Sequence, residues 1–363
     1  MAKSPKELDF EQVQVKRRLF PYYVDLFIDK KEDEHLSPSS LLEYLRDYQT
    51  FFTWLISEGI VSAKTIKDIP LSSLETLQVE DITNFTRYLR RDRKNKSSSI
   101  DRKLASLKSL FHYLQNIAED ENRNPLLQRN VMLKIAIKSK KKSLEKRAEE
   151  IEPKILQTDD EFDEFLDFVK SGFSQLPSLS TKMKNYHKHN WERDAAIVSL
   201  ILGSGLRVGE ICSLTVDKVD MVNKTVQVIR KGGKEDEETV RFSEQARMDL
   251  QAYLDIRKNR YKVPDNEKSL FVTLHREDYG TPMVKHTIQV AVKKYATYFG
   301  KSQMTVHKLR HSFATRYHRN VNNVPMLQRQ LGHSDQNTTM LYTHIGKDDM
   351  SKALEQMEQR IFK

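Results

Sequence analysis

The chain has 363 residues, with 61 Lys plus Arg against 51 Asp plus Glu and a net charge of +10, which is long enough for two domains with sizeable cores. Its one cysteine, Cys212, excludes an internal disulfide and a cysteine-cluster metal site, and no apolar run approaches the length of a membrane span. Residues 1–155 hold 29 of the basic and 24 of the acidic residues, so each half carries an excess of five; that suits a protein gripping a polyanion with both domains, and equally a soluble basic protein.

Eleven Gly and ten Pro are few for this length, which favours a helix-rich fold. MAKSPKELDF has no apolar signal-peptide core, so the expected compartment is the cytoplasm. From Val13 to Ile28 the pattern is helical, with Pro21 expected to kink it. Leu41, Leu45, Tyr48, Phe52 and Leu55 predict an amphipathic helix that starts at Ser37-Pro38-Ser39 and stops near Gly59. Val79, Ile82, Phe85 and Leu89 predict another, with Glu80 and Asp81 in its first turn. Ile100, Leu104, Leu107, Phe111, Leu114 and Ile117 predict a third, entered through Ser97–Ser99. These make a small helical bundle. Arg87, Arg90, Arg91 and Lys94 cluster at one helix end, and Arg102, Lys103 and Lys108 lie on the polar side of the next. Such a cluster is either a solvated face answering the helix dipole or a set of phosphate contacts. Ser139 to Pro153 shows no apolar stripe and reads as a basic linker, in which Lys140, Lys141 and Lys142 either track a nucleic-acid backbone or are merely solvated.

In the second half, Asp159 to Val169 is helical by its apolar spacing, and Ser171 to Asn190 reads as polar and irregular. Trp191 to Leu202 is an apolar helix ending in Gly203-Ser204-Gly205, small residues that permit a tight turn and a close backbone approach. Arg207 opens the next helix, and Glu210, three residues on, can hold its guanidinium in aim for two phosphate oxygens. TVQVI (225–229) and ETVRF (238–242) read as strands of a hairpin around Arg230-Lys231-Gly232-Gly233-Lys234. Residues 247–257 and 286–299 read as two more helices.

The stretch Thr305 to Ile345 carries the densest chemistry. His307, Arg310, His333 and Tyr342 follow one another at intervals of 3, 23 and 9 residues. Thr305 suits an N-cap, His307 and Arg310 share a helix face, and Gly332 suits a left-handed helix end from which His333 emerges. Two histidines, an arginine and a tyrosine brought together suit an anionic, oxygen-rich group such as a phosphodiester. A zinc reading of His307 and His311 at i, i+4 fails on Lys308, where that motif needs a glutamate; His311 and His344 read as structural or supporting residues. Tyr342 taken alone would be a half-buried packing residue.

Arg207 in its G-x-R setting, hairpin Lys231, His307 and Arg310 as H-x-x-R, Leu331–His333 as L-G-H, and Tyr342 together resemble the tyrosine recombinase (phage integrase) family, in family order. LLEYLRDYQTFFTWLISEGI, IKDIPLSSLE, RNVMLKI and the KSKKK run are similar to the Xer recombinases that act as a single protein in Gram-positive cocci. The resemblance implies a mainly α fold with a small antiparallel β-sheet in the C-terminal domain, arranged as a two-domain C-shaped DNA clamp. Residues 1–138 would be a helical, SAM-like core-binding domain, 139–155 the linker, 156–345 the catalytic domain and 346–363 a C-terminal helix that docks on a neighbouring protomer. It implies that Tyr342 attacks the scissile phosphate to give a 3′-phosphotyrosyl link, with Arg207 and Arg310 clamping the non-bridging oxygens. His307 would accept a proton or position the phosphate, and His333 would donate a hydrogen bond to it. Lys231 is favoured over Lys234 as the acid for the leaving 5′ oxygen, leaving Lys234 as a phosphate contact. No metal, ATP or other cofactor is expected. The expected partners are double-stranded DNA with an inverted-repeat site and three further copies of the chain in a synaptic tetramer, with an FtsK-type septal translocase as a candidate and no membrane. Chromosome dimer resolution is the favoured role; a mobile-element integrase or a non-catalytic DNA-binding relative are the alternatives.

Overall fold

The structure, a computed structural model, describes residues 5–137, 142–230, 237–274, 279–333 and 336–345. It divides into two compact units, Met1–Lys141 and Lys142–Lys363.

The first unit is all helix. α1 (Pro5–Arg17) and α2 (Tyr22–Asp33) replace the single kinked helix expected around Pro21; the proline, which has no N–H to give, stands at the N-cap of α2 and separates the two. α3 (Pro38–Ser57) begins with Ser37 at its N-cap and Pro38 at its first position, as the sequence predicts. The short α4 (Ser72–Thr76) leads to α5 (Val79–Arg91), where Asp81 accepts a hydrogen bond from the backbone N–H of Gln78 and closes a capping box. α6 (Ser97–Asn116) completes the bundle. Leu41, Leu45, Tyr48, Phe52 and Leu55 all turn inward and meet Phe85, Leu104, Leu107, Phe111 and Leu114 in one core.

The second unit is built on α10. α7 (Leu144–Ile151), α8 (Asp159–Asp167) and the single turn α9 (Phe173–Gln175) precede it, with a wide helical turn over Phe168–Gly172. α10 (Thr181–Ser204) is 24 residues long, capped by the Ser180 hydroxyl. This corrects the irregular reading of 171–190: that stretch is polar by composition, yet His187 and Asn190 are buried, with His187 bonded to the Val169 carbonyl at 2.8 Å. α11 (Val208–Ser213) follows, then β1 (Val219–Asp220), β2 (Thr225–Ile229) and β3 (Glu237–Arg241), an antiparallel sheet in that order with Val226 opposite Val240. Val226, Val228 and Val240 point into the core. α12 (Glu244–Arg260), α13 (Lys285–Tyr298), α14 (Val306–Val321), α15 (Val324–Leu331) and α16 (Gln336–Met340) complete the described part, and a single 3₁₀ turn over Leu341–His344 ends it.

The stretch read as lacking an apolar stripe is also corrected. Within it Leu144, Ala148 and Ile151 line one side of α7 at i, i+4, i+7. Ala148 and Ile151 are buried with Ala314, Leu327, Leu331, Leu341, Tyr342 and Ile345 in a small separate core. Three apolar residues in fifteen are too few to stand out among the charges, but the tyrosine segment supplies the surface that they cover.

Candidate active site

Four elements of the second unit converge on the C-terminal end of α15. Asn323 caps the start of that helix and Gly332 ends it in the left-handed region, φ 60°. The last carbonyls of a helix have no partner inside it and carry the negative end of its dipole. Here arginines from three other elements fill that need. Arg230, at the end of β2, donates to the carbonyls of Arg329 (3.1 Å) and Gln330 (2.7 Å). Arg310 on α14 donates to that of Leu331 (2.6 Å), and Arg207 to that of Gly332 (3.0 Å).

Arg207 stands at the N-cap of α11. Glu210 accepts from its backbone N–H and from its guanidinium, both at 2.8 Å, as the i, i+3 spacing predicts. Arg310 is buried; it also donates to the Gly205 carbonyl, at the sharp left-handed turn (φ 72°) after α10. A side chain at that glycine would collide with Phe313 and Leu331. Burial first, and then Arg207, push the Arg310 guanidinium down to about 10, while Glu210 opposes the shift. Three guanidiniums against Glu210 and the exposed Glu238, which pairs with Arg230 at 3.3 Å, still leave an excess of positive charge, which is the electrostatic requirement of an anion site.

His333 follows Gly332 directly. Its Nε2 lies 3.1 Å from an Arg310 amino group, which can only donate, so Nε2 accepts and Nδ1 carries the proton. Nδ1 then donates to the Thr339 hydroxyl at 2.8 Å. Burial and the adjacent Arg310 and Arg207 push this imidazole down to about 4, so it is neutral at physiological pH. His307 opens to solvent one turn before Arg310, held below its usual range by partial desolvation and by Arg310, Lys308 and Arg207. Tyr342 is buried rather than half-buried, in the 3₁₀ turn after α16; burial pushes its phenol up to about 12, against the pull of Arg310 and Arg207. Its hydroxyl is 2.9 Å from Nδ1 of His311.

Arg207, Glu210, Arg310 and His333 are thus brought together, with His307 and Tyr342 beside them. Lys231 and Lys234 lie outside the described residues, as do Lys140, Lys141 and the C-terminal segment 346–363. Among the described residues no three metal-ligating side chains gather. In the first unit Arg90, Arg91 and Lys94 are exposed, and Arg87 is exposed while bonded to Glu80 (3.0 Å) and Asn84 (2.6 Å). Arg102 forks onto buried Asp47 (2.6 and 2.9 Å), Lys103 joins the same carboxylate at 2.9 Å, and Lys108 is half-buried. Lys142 pairs with Glu150. Sequence reasoning missed Arg230 and Thr339. Neither carries a local signal, since each is defined by a partner elsewhere in the fold.

The Arg230–Gly332 contact makes a prediction. A Cβ at Gly332 would collide with the Arg230 guanidinium, and alanine there would be forced into a left-handed backbone. Gly332→Ala should lower stability by about 1–3 kcal/mol through that strain alone, and more if Arg230 must leave its carbonyls. Urea melts of Gly332→Ala, Arg230→Ala and the double variant check this. The double variant should lose less than the sum, because removing Arg230 removes the collision.

A buried tyrosine lies beside arginines and histidines that can receive an anionic group, on a helical domain with one small sheet. Residues 172–348 match the Phage integrase family, and residues 24–116 match the Phage integrase, N-terminal SAM-like domain. The chain belongs to the tyrosine recombinase family, enzymes that transfer DNA strands site-specifically. Within that family it is similar to Tyrosine recombinase XerS of Lactococcus lactis subsp. lactis, 35% identical over 97% of this chain and 99% of the relative. It is likewise similar to Tyrosine recombinase XerS of Streptococcus pyogenes serotype M6, 37% identical over the same shares. The fold is shared with the crystal structure of XerH site-specific recombinase bound to palindromic difH substrate, with TM-score 0.62 and 18% identity over 90% of this chain and 82% of that one.

Proposed function

We propose that this recombinase cuts and rejoins double-stranded DNA at an inverted-repeat site through a 3′-phosphotyrosyl intermediate, and that its role is resolving chromosome dimers in the cytoplasm. The observation that supports this reading most is the convergence of Arg207, Arg310 and His333 on one helix end beside Tyr342. A scissile phosphate there meets the guanidinium N–H donors of Arg207 and Arg310, which stabilise the charge that develops on its oxygens. It competes with backbone carbonyls for the Arg207 and Arg310 donors, and when Arg310 turns to it, Nε2 of His333 loses its donor; with the imidazole proton moved to Nε2 and the Thr339 hydroxyl then donating to Nδ1, Nε2 donates to the same oxygens. Tyr342 attacks in line and Lys231 protonates the departing 5′ oxygen. His307, open to solvent, positions the phosphate. The 5′-hydroxyl of a partner duplex then reverses the attack. Four protomers on two sites complete the exchange through a Holliday junction, with the C-terminal segment linking neighbours and an FtsK-type translocase as a further partner. The full-length similarity to XerS proteins supports the chromosomal role over a mobile-element one. Arg87, Arg90, Arg91, Lys94, Arg102, Lys103, Lys108 and the lysines at 140–142 and 234 are the proposed backbone contacts. Asp47 sets the aim of Arg102 and Lys103.

The phosphotyrosyl bond keeps the energy of the bond it replaces. Recombination of a plasmid carrying two copies of the chromosomal inverted-repeat site should therefore run at its full rate in EDTA with no nucleotide, as read by the yield of deletion product on a gel. Arrest on chelation, with recovery on adding zinc or magnesium, would refute the mechanism.

A further inference from the structure

The phenol of Tyr342 has one described hydrogen-bond partner, and it is not the histidine of the H-x-x-R motif. α14 carries four polar side chains in five residues, His307, Lys308, Arg310 and His311. Arg310 turns to Leu331, Gly205 and His333, and His307 opens outward. His311, adjacent to Arg310 and one turn beyond His307, turns the other way and is buried against Tyr342. Its Nδ1 lies 2.9 Å from the phenolic oxygen, and its ring packs edge to face on that of His307, with centroids 4.5 Å apart. Among the described residues no hydrogen bond joins His307 to Tyr342.

A protonated phenol is a weak nucleophile, and burial makes Tyr342 harder to ionise than a free tyrosine. Its proton must therefore leave as the oxygen attacks, to an acceptor within about 2.6–3.2 Å. We propose that His311 is a catalytic residue whose Nδ1 takes the phenolic proton of Tyr342 as the tyrosine oxygen attacks phosphorus. This rests on Tyr342 being the nucleophile. As the bond from the tyrosine oxygen to phosphorus forms, the phenolic proton passes to Nδ1. The bond from phosphorus to the 5′ oxygen breaks, and that oxygen takes its proton from Lys231. On rejoining, the imidazolium returns the proton to the departing tyrosine.

The surroundings of His311 fit a base that works only with substrate bound. Burial, then the neighbouring His307, Lys308, Arg310 and His333, push its imidazole down to about 2, so the ring is neutral and Nδ1 is free to accept. A phosphodiester docked on Arg207, Arg310 and His333 adds negative charge to this cationic cluster and raises the basicity of His311. Proton transfer is thereby tied to the presence of DNA.

The test is single-turnover formation of the covalent complex by the full chain on a nicked suicide substrate. His311→Asn keeps an oxygen that can accept from Tyr342 but cannot take up its proton; His311→Ala removes both. Both should bind the duplex normally and react about 100-fold or more slowly, the loss expected on removing a general base. Incorporating 3,5-difluorotyrosine at position 342 makes the phenol more acidic. It should recover at least about ten-fold of the rate in the His311→Asn background, relative to its effect with His311 present. A near-normal rate for His311→Asn would reduce His311 to holding the ring, and a slow variant that fluorination does not help would make it purely structural. Either result defeats the proposal. A covalent complex formed by Tyr342→Phe would instead defeat the assignment of the nucleophile, on which the proposal rests.

Discussion

Tyr342→Phe should bind its target duplex with unchanged affinity and form no covalent complex at all. The ring of Tyr342 is buried among Ile151, Ala314, Leu327, Leu331, Leu341 and Ile345, and phenylalanine fills the same volume. What is lost is one hydroxyl and its bond to His311. Leaving the buried Nδ1 of His311 without this partner costs about 1–3 kcal/mol, too little to unfold the second unit. In the proposed mechanism, however, the lost oxygen is the atom that becomes the phosphotyrosyl link, so the effect on cleavage is complete rather than graded. A nicked suicide substrate traps the 5′ fragment after cleavage, and denaturing electrophoresis then separates the protein–DNA adduct from free strands. The adduct band should be absent from the variant and strong in the parent, while native gels show equal binding. An adduct from Tyr342→Phe would move the nucleophile elsewhere.

The second large effect is expected at the hairpin. Lys231→Ala should cleave ordinary DNA about 100- to 10,000-fold more slowly, the range for losing a general acid. It should be restored on a substrate whose bridging 5′ oxygen is replaced by sulfur. A thiolate leaves without a proton, whereas an alkoxide does not, so only a defect in protonating the leaving group is repaired by that change. The choice of Lys231 over Lys234 rests on position along the strand. Lys231 directly follows Arg230, whose guanidinium is fixed to the carbonyls of Arg329 and Gln330, while Lys234 comes after two glycines. Lys234→Ala should bind DNA more weakly and show no selective rescue by sulfur. Rescue of Lys234→Ala alone would transfer the acid to that residue, and rescue of neither would remove both from the role.

Most of the elements were legible in the sequence because local chemistry sets them. The apolar spacing of Leu41 to Leu55 and of Ile100 to Leu114, the Thr305 cap and the Gly332 helix end are decided within a turn or two of chain, and the structure has each of them. The Arg207–Glu210 pair was readable for the same reason, since residues three apart on a helix are neighbours. The two stretches misread, 171–190 and 139–153, are polar by composition. Their few buried side chains become visible only beside what covers them: Phe173 and Tyr295 around His187, and the tyrosine segment over α7.

The sequence by itself determined that this chain is helical, that it carries an arginine, histidine and tyrosine set in a particular order, and which of those residues fall on which helix. Tertiary structure alone decided how the set is wired. The contacts that make the site join residues far apart in the chain: Arg207 to Gly332 over 125 positions, Arg310 to Gly205 over 105, and Tyr342 to His311 over 31. No periodicity encodes them. Two histidines one turn apart on α14 are alike in sequence, and only the packing of the 3₁₀ turn against that helix places His311, and not His307, at the phenolic oxygen. Likewise Arg230 looks like any turn-flanking arginine until the carbonyls of Arg329 and Gln330 at the end of α15 come to lie beneath it. Hydrogen-bond donors are matched to orphan acceptors only when the chain has closed around them, and that matching decides which charged side chains build the site and which face the solvent.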